Sequence, residues 1–127
     1  MTRAGLAVPV ALAAALAGCG PRQAPIAVGE VEFRGPPGSV TPHLALAGDL
    51  PVLSWLEPTA RGRALRVAVR RDGTWTVTGT AVENDSLLVN WADFPSVVPL
   101  PTGEWLAHWL QKTAPRAYAY HVRMAVS

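Results

Sequence analysis

Strict alternation of side chains is the feature that most limits what this chain can become. From residue 64 to residue 70, Leu65, Val67 and Val69 fall on one face of an extended strand. Ala64, Arg66, Ala68 and Arg70 fall on the other. Asp72-Gly73 then supplies a hairpin turn into Trp75-Thr76-Val77-Thr78. Near the C-terminal end, Tyr118, Tyr120, Val122, Met124 and Val126 alternate with Ala119, His121, Arg123 and Ala125. Asn84-Asp85 marks another turn ahead of Leu87-Leu88-Val89-Asn90-Trp91. Twelve Pro and eleven Gly among 127 residues, with five Trp, fit a β-rich chain with many turns and not a helical bundle. The expected class is all-β.

An internal repeat sharpens that expectation. The apolar residues of Trp105-Leu106-Ala107-His108-Trp109-Leu110 fit a helix as well as a strand. However, Leu46, Trp55-Leu56 and Thr59-Ala60 recur as Leu100, Trp109-Leu110 and Thr113-Ala114, at a constant offset of 54. With a slip of one residue, Leu65–Val69 overlays Tyr120–Met124, and with a slip the other way Pro42-His43-Leu44 overlays Pro95-Ser96-Val97. Pro51 and Pro58 bracket a first-copy segment too short for a helix, so the second copy is expected to be a strand too. Each copy reads as strand, tight turn, strand, loop, strand and a turn to the next strand, so four antiparallel strands are expected per unit of roughly 40–50 residues, which is a propeller-blade pattern.

The chain opens differently. Met1-Thr2-Arg3 carries one positive charge, and residues 4–15 form an uncharged apolar run. That run is too short to span a hydrocarbon core, which takes roughly 20 residues, but it matches a secretory leader. Leu16-Ala17-Gly18-Cys19 follows and resembles the lipobox of bacterial lipoproteins. The resemblance implies a signal peptide over 1–18, cleavage before Cys19 and acylation of that cysteine. The membrane lipid would then be its first partner, since stable anchoring takes more than one acyl chain. An ordinary signal peptide with a chance cysteine, or a buried N-terminal helix, is the alternative. Cys19 is the single cysteine, so its acylation leaves none for a disulfide, zinc or nucleophilic catalysis. Residues 19–39 read as the lipidated cysteine and a tether, with room for a first strand. By the same resemblance, Gly20 lacks the Asp of an inner-membrane retention signal, which implies an outer-membrane, periplasm-facing or surface location in the bacterial envelope where the host has two membranes.

Composition narrows the partners. Half the residues are hydrophobic and 16% are charged, which argues against a disordered tail. Eleven basic residues against nine acidic ones is near balance and excludes a strongly basic nucleic-acid binder.

Residues 40–127 carry a second resemblance. Pro42-His43-Leu44, Leu53-Ser54-Trp55-Leu56, Asp72-Gly73-Thr74-Trp75, Asp93-Phe94-Pro95-Ser96-Val97 and Leu106–Leu110 together resemble the opening of sialidase-like β-propellers with Asp-box (BNR) repeats. Asp72, Gly73, Thr74 and Trp75 would be a contracted Asp-box. The resemblance implies about two blades of a six-bladed fold, an exo-alpha-sialidase ancestry and a glycan ligand. Two blades alone would leave open edges. Either the chain is the first piece of a longer product, or its hairpin sets close on each other as a small sandwich.

Catalysis does not carry over with the resemblance. Such sialidases clamp a carboxylate with three arginines and use a Tyr–Glu nucleophile. Aligned on the proline of the clamp motif, this chain has Asp93 or Val40 where the first arginine belongs, and Arg34 fits the letters but precedes a turn. Asp93, in Trp-Ala-Asp-Phe-Pro, is the candidate for sugar binding or acid catalysis, against a turn-capping role. Glu83, Asp85 and Glu104 are its candidate carboxylate partners, since glycoside hydrolysis takes two carboxylates roughly 5–10 Å apart. The arginines at 61, 63, 66, 70 and 71 read as an anion patch or a solvated strand face. The five Trp read as a stacking platform or as inter-blade core. His43, His108 and His121 lack metal-ligand spacing, and no cofactor is implied. Two functional readings follow. One is an anchored sialidase-like propeller fragment, glycan-directed or derived from such a glycosidase, and inactive by itself. The other is a non-enzymatic envelope lipoprotein used for binding or assembly.

Overall fold

The computed structural model describes residues 24–116 and 118–127. Cys19 and the leader lie outside them. Residues 32–127 form one compact unit. Its strands are β1 (Val40–Ala47), β2 (Leu50–Thr59), β3 (Gly62–Arg71), β4 (Thr74–Asn84), β5 (Ser96–Pro99), β6 (Trp105–Lys112) and β7 (Tyr120–Val126). The all-β expectation holds, with no helix among the described residues. β1 to β4 make the expected four-stranded antiparallel meander, but β5 to β7 make a three-stranded one, not the four strands expected of each copy.

Local chemistry explains the meander. The alternating residues of β3 pair so that Leu65, Val67 and Val69 face Leu56, Ser54 and Val52. Asp72 and Gly73 both take positive φ, 48° and 80°, the geometry of a two-residue type I′ hairpin. Asp72-Gly73 is thus a tight turn, with Thr74 and Trp75 opening β4. At the previous hairpin, Gly62 has φ 114°, and a Cβ there would sit 2.5 Å from the Asp85 Cα.

The offset of 54 marks equivalent strands. Trp55 and Trp109 both occupy the middle of a second strand, and Trp105–Leu110 lies in β6, a strand as expected. Register also ties the first strands together, since His43 pairs with Ser54 and Ser96 with His108. The third strands match less simply. Leu56 faces Leu65 and Leu110 faces Val122, so the offset there is 57 and not the expected 55. The two-residue connection after β2 becomes a seven-position connection, 113 to 119, after β6. That loop removes Tyr118 from the strand in which alternation had placed it. Leu87–Trp91 is likewise no strand. Only Ser86–Leu88 lines up beside β6, through a Leu87–Gln111 bridge and a bond of 2.9 Å from the Leu88 N–H to the Leu110 carbonyl.

The two sheets pack against each other. Val52, Leu56, Leu65, Val67 and Val69 of the first share one buried cluster with Val97 and Ala107 of the second and with Leu87 beside it, and Trp109 packs onto it. The Val97 N–H donates across the junction to the fully buried Ser54 Oγ at 3.2 Å. The far face of the first sheet holds a smaller cluster of Leu53, Trp55 and Ala68, against which Phe33 and Trp75 pack. Phe33 meets Trp55 edge-on at 4.8 Å between ring centroids. The strand face assigned to solvated arginines is therefore partly covered, because Ala64 and Ala68 leave room for an aromatic lid.

Candidate functional site

Asp93 lies on the long connection between β4 and β5, outside any strand. A cleft of about 550 Å³ opens beside it, lined by residues 88–93 and by Lys112, Pro115, Arg116, Tyr118 and Tyr120. Two loops therefore build the site, and β6 and β7 hold the ends of the second one. Inside it, the Asn90 Nδ2–H donates to Asp93 Oδ2 at 2.7 Å, while Asn90 Oδ1 accepts from the Ala92 N–H at 3.0 Å. Among the described residues the donor to Asp93 is this side-chain amide, whereas the turn-capping alternative calls for backbone N–H groups.

Aromatic exposure is what sets this cleft apart. Trp91 is 90% exposed and Tyr118 87%, on opposite loops of the same cleft. Large rings with a polar tip are ordinarily buried or partnered, so two of them standing free around converging polar groups is informative. Lys112 and Arg116 add two cations to the rim, against the single carboxylate of Asp93. Tyr118 and Tyr120, which alternation had put on a packing face, thus line the cleft. The seven-position loop turns them toward residues 88–93.

The other proposed carboxylates are elsewhere. Glu83 accepts from Arg61 Nη2 at 2.5 Å, and that hydrogen bond holds its carboxyl below the ordinary range while raising the guanidinium. Glu104 accepts from the Thr102 hydroxyl at 2.9 Å on the β5–β6 turn. Neither they nor Asp85 line the cleft, so the paired-carboxylate arrangement is absent among the described residues.

The arginine cluster is divided as well. Arg66 Nε donates to Glu57 Oε1 at 2.6 Å, its Nη1 reaches Thr80, and the Trp55 indole N–H donates to Glu57 Oε2 at 3.1 Å. These are structural contacts on a covered face. Arg34 pairs with Glu32 on the surface and clamps nothing. Val40 opens β1 and packs against the shared core. Among the tryptophans, Trp55, Trp75, Trp105 and Trp109 pack on one of the two clusters, and Trp91 alone stands in the cleft. The Ser96 hydroxyl lies 2.9 Å from His108 Nδ1, but Ser96 is buried and no carboxylate among the described residues orients the ring. No group of three potential metal ligands occurs among the described residues.

The chain matches no protein-family model, no curated protein and no solved structure.

Proposed function

We propose that this chain is a lipid-anchored, saccharide-binding β module of a bacterial cell envelope, sialidase-like in ancestry and not catalytic by itself. The exposed pair Trp91 and Tyr118, flanking Asn90, Asp93, Lys112 and Arg116 in one cleft, carries the reading. The aromatic faces offer apolar platforms for a sugar ring. The amide, carboxylate and cations supply directed donors and acceptors for hydroxyl or carboxylate groups. Anchoring rests on the leader and the Leu16–Cys19 lipobox. The lack of turnover rests on Asp93 having no second carboxylate in the cleft.

The test is titration of the detergent-solubilised full chain with 3′-sialyllactose and with lactose, followed by tryptophan fluorescence and calorimetry. Saturable binding is expected, weakened about tenfold or more by Trp91→Ala and by Tyr118→Ala, a loss of roughly 1.4 kcal/mol each. Absence of saturable binding, or binding indifferent to Trp91→Ala, defeats the proposal. A fluorogenic sialoside should remain intact, and turnover abolished by Asp93→Asn would reverse the non-catalytic part.

A further inference from the structure

The cleft between residues 88–93 and the β6–β7 loop holds two poles of charge that are not paired with each other. Asp93 stands on the first loop. Its partner among the described residues is the Asn90 amide, which occupies Oδ2 and leaves Oδ1 free. Lys112 ends β6, and Arg116 lies on the loop that follows it. The ion pairs among the described residues are Arg34–Glu32, Arg61–Glu83 and Arg66–Glu57, so neither cation of the cleft has a carboxylate partner there. Backbone bonds hold the cationic side in place. The Lys112 N–H donates to the Ser86 carbonyl at 2.8 Å, the Thr113 N–H to that of Ala119 at 2.8 Å, and the Ala119 N–H to that of Arg116 at 3.3 Å. Register sets Lys112 opposite Tyr120, so cation and ring share one face at the cleft.

We infer that the ligand of this cleft is a saccharide bearing one amine and one phosphate group, the amine taken by Asp93 and the phosphate by Lys112 and Arg116. The inference rests on the saccharide reading above and names the class within it. Hydroxyl groups alone would leave all three charges of the cleft without counter-charges. A purely acidic sugar would face the Asp93 carboxylate, and a purely basic one would face two cations. An ammonium brings three donors, and Asp93 Oδ1 is free to accept. A phosphate monoester carries a charge of about −1.5 to −2 near neutral pH and so matches two cations, where a sugar carboxylate would match one. Poles too far apart to pair with each other call for groups at separate positions of the sugar. Trp91 and Tyr118 then remain for the ring that joins them.

Four sugars separate the two poles. The detergent-solubilised full chain is titrated calorimetrically, at constant ionic strength, with glucosamine 6-phosphate, glucosamine, glucose 6-phosphate and glucose. Glucosamine 6-phosphate should bind at least about tenfold more tightly than either sugar with a single charged group, and glucose should bind most weakly. Asp93→Asn should erase its advantage over glucose 6-phosphate. Lys112→Gln combined with Arg116→Gln should erase its advantage over glucosamine. All three side chains belong to exposed residues, so the far-ultraviolet β signal should stay unchanged. Equal affinity for the four sugars, or an advantage that survives these substitutions, overturns the inference and leaves saccharide binding standing. Binding of O-phosphoethanolamine as tight as that of glucosamine 6-phosphate overturns the saccharide reading as well, since the charges alone would then do the recognising. Absence of saturable binding by all four sugars overturns both.

Discussion

Glu57 sits on a mostly apolar strand face with 10% of its side chain exposed, and it serves two donors at once. One carboxylate oxygen takes the Trp55 indole N–H, and the other takes the Arg66 guanidinium, itself 32% exposed. A pair this covered is held by hydrogen-bond geometry more than by bare attraction, and removing one member strands the other. Glu57→Gln keeps an acceptor for Trp55 and deprives Arg66 of its counter-charge. We expect a loss of about 1–3 kcal/mol in unfolding free energy, read from the urea midpoint. The double variant Glu57→Gln with Arg66→Gln should recover part of it. Strictly additive losses would show that the two side chains do not couple. Sequence reading had Arg66 as a solvated charge or an anion site. Its alternation with Ala64 and Ala68 was legible, but the partner lies nine positions away on β2 and Phe33 arrives from outside the sheet.

At the scale of elements, each hairpin depends on what its turn permits. Gly62 follows the two-residue connection between β2 and β3 at φ 114°, where an L side chain is strained, and its missing Cβ leaves room for the Asn84–Asp85 backbone. Gly62→Ala would bring the Cβ within 2.6 Å of the Asn84 carbonyl oxygen, a clash that backbone must relieve. The expected loss is about 2–4 kcal/mol, combining strain with displaced β3–β4 pairing. Amide exchange should accelerate first around Arg63 and Asn84, which pair there. Unchanged exchange at that end would mean the turn tolerates a side chain. The hairpins themselves were legible, because period-two alternation and Asp72-Gly73 act locally. The offset of 54 placed Trp55 and Trp109 on equivalent strands for the same reason. What alternation could not supply was the length of the β6–β7 connection. Leaving the strand at residue 113 and returning at 120 is a tertiary choice, and it moved the register by two residues and put Tyr118 in the cleft. Asp93 was visible as a candidate, yet its neighbours Lys112 and Arg116 come from a loop that sequence distance hides.

Among the described residues, the two sheets are joined by apolar contact and by a buried polar link. Ser54 is fully buried, and its hydroxyl accepts the Val97 N–H at the start of β5, 43 positions further along the chain. Val97 is itself 3% exposed, so that N–H has no access to water. Ser54→Ala removes the acceptor with almost no change in volume and leaves a buried donor unpaired, at a cost of about 1–3 kcal/mol. Because β5 is four residues long and meets the first sheet chiefly along β1 and β2, the cost should fall on docking of the second sheet. Hydrogen exchange therefore distinguishes two designs. If the sheets unfold as one cooperative unit, amides of β3 and β6 lose protection equally in Ser54→Ala. If docking is the weaker step, β5 and β6 amides exchange roughly tenfold faster while those at the centre of β3 keep their wild-type rates. We expect the second pattern, since three strands with one open apolar face bury too little to be held by anything but the junction with the first sheet. Equal loss across both sheets would show that the seven strands form one indivisible core, and that the open face on β7 costs the molecule nothing in cohesion.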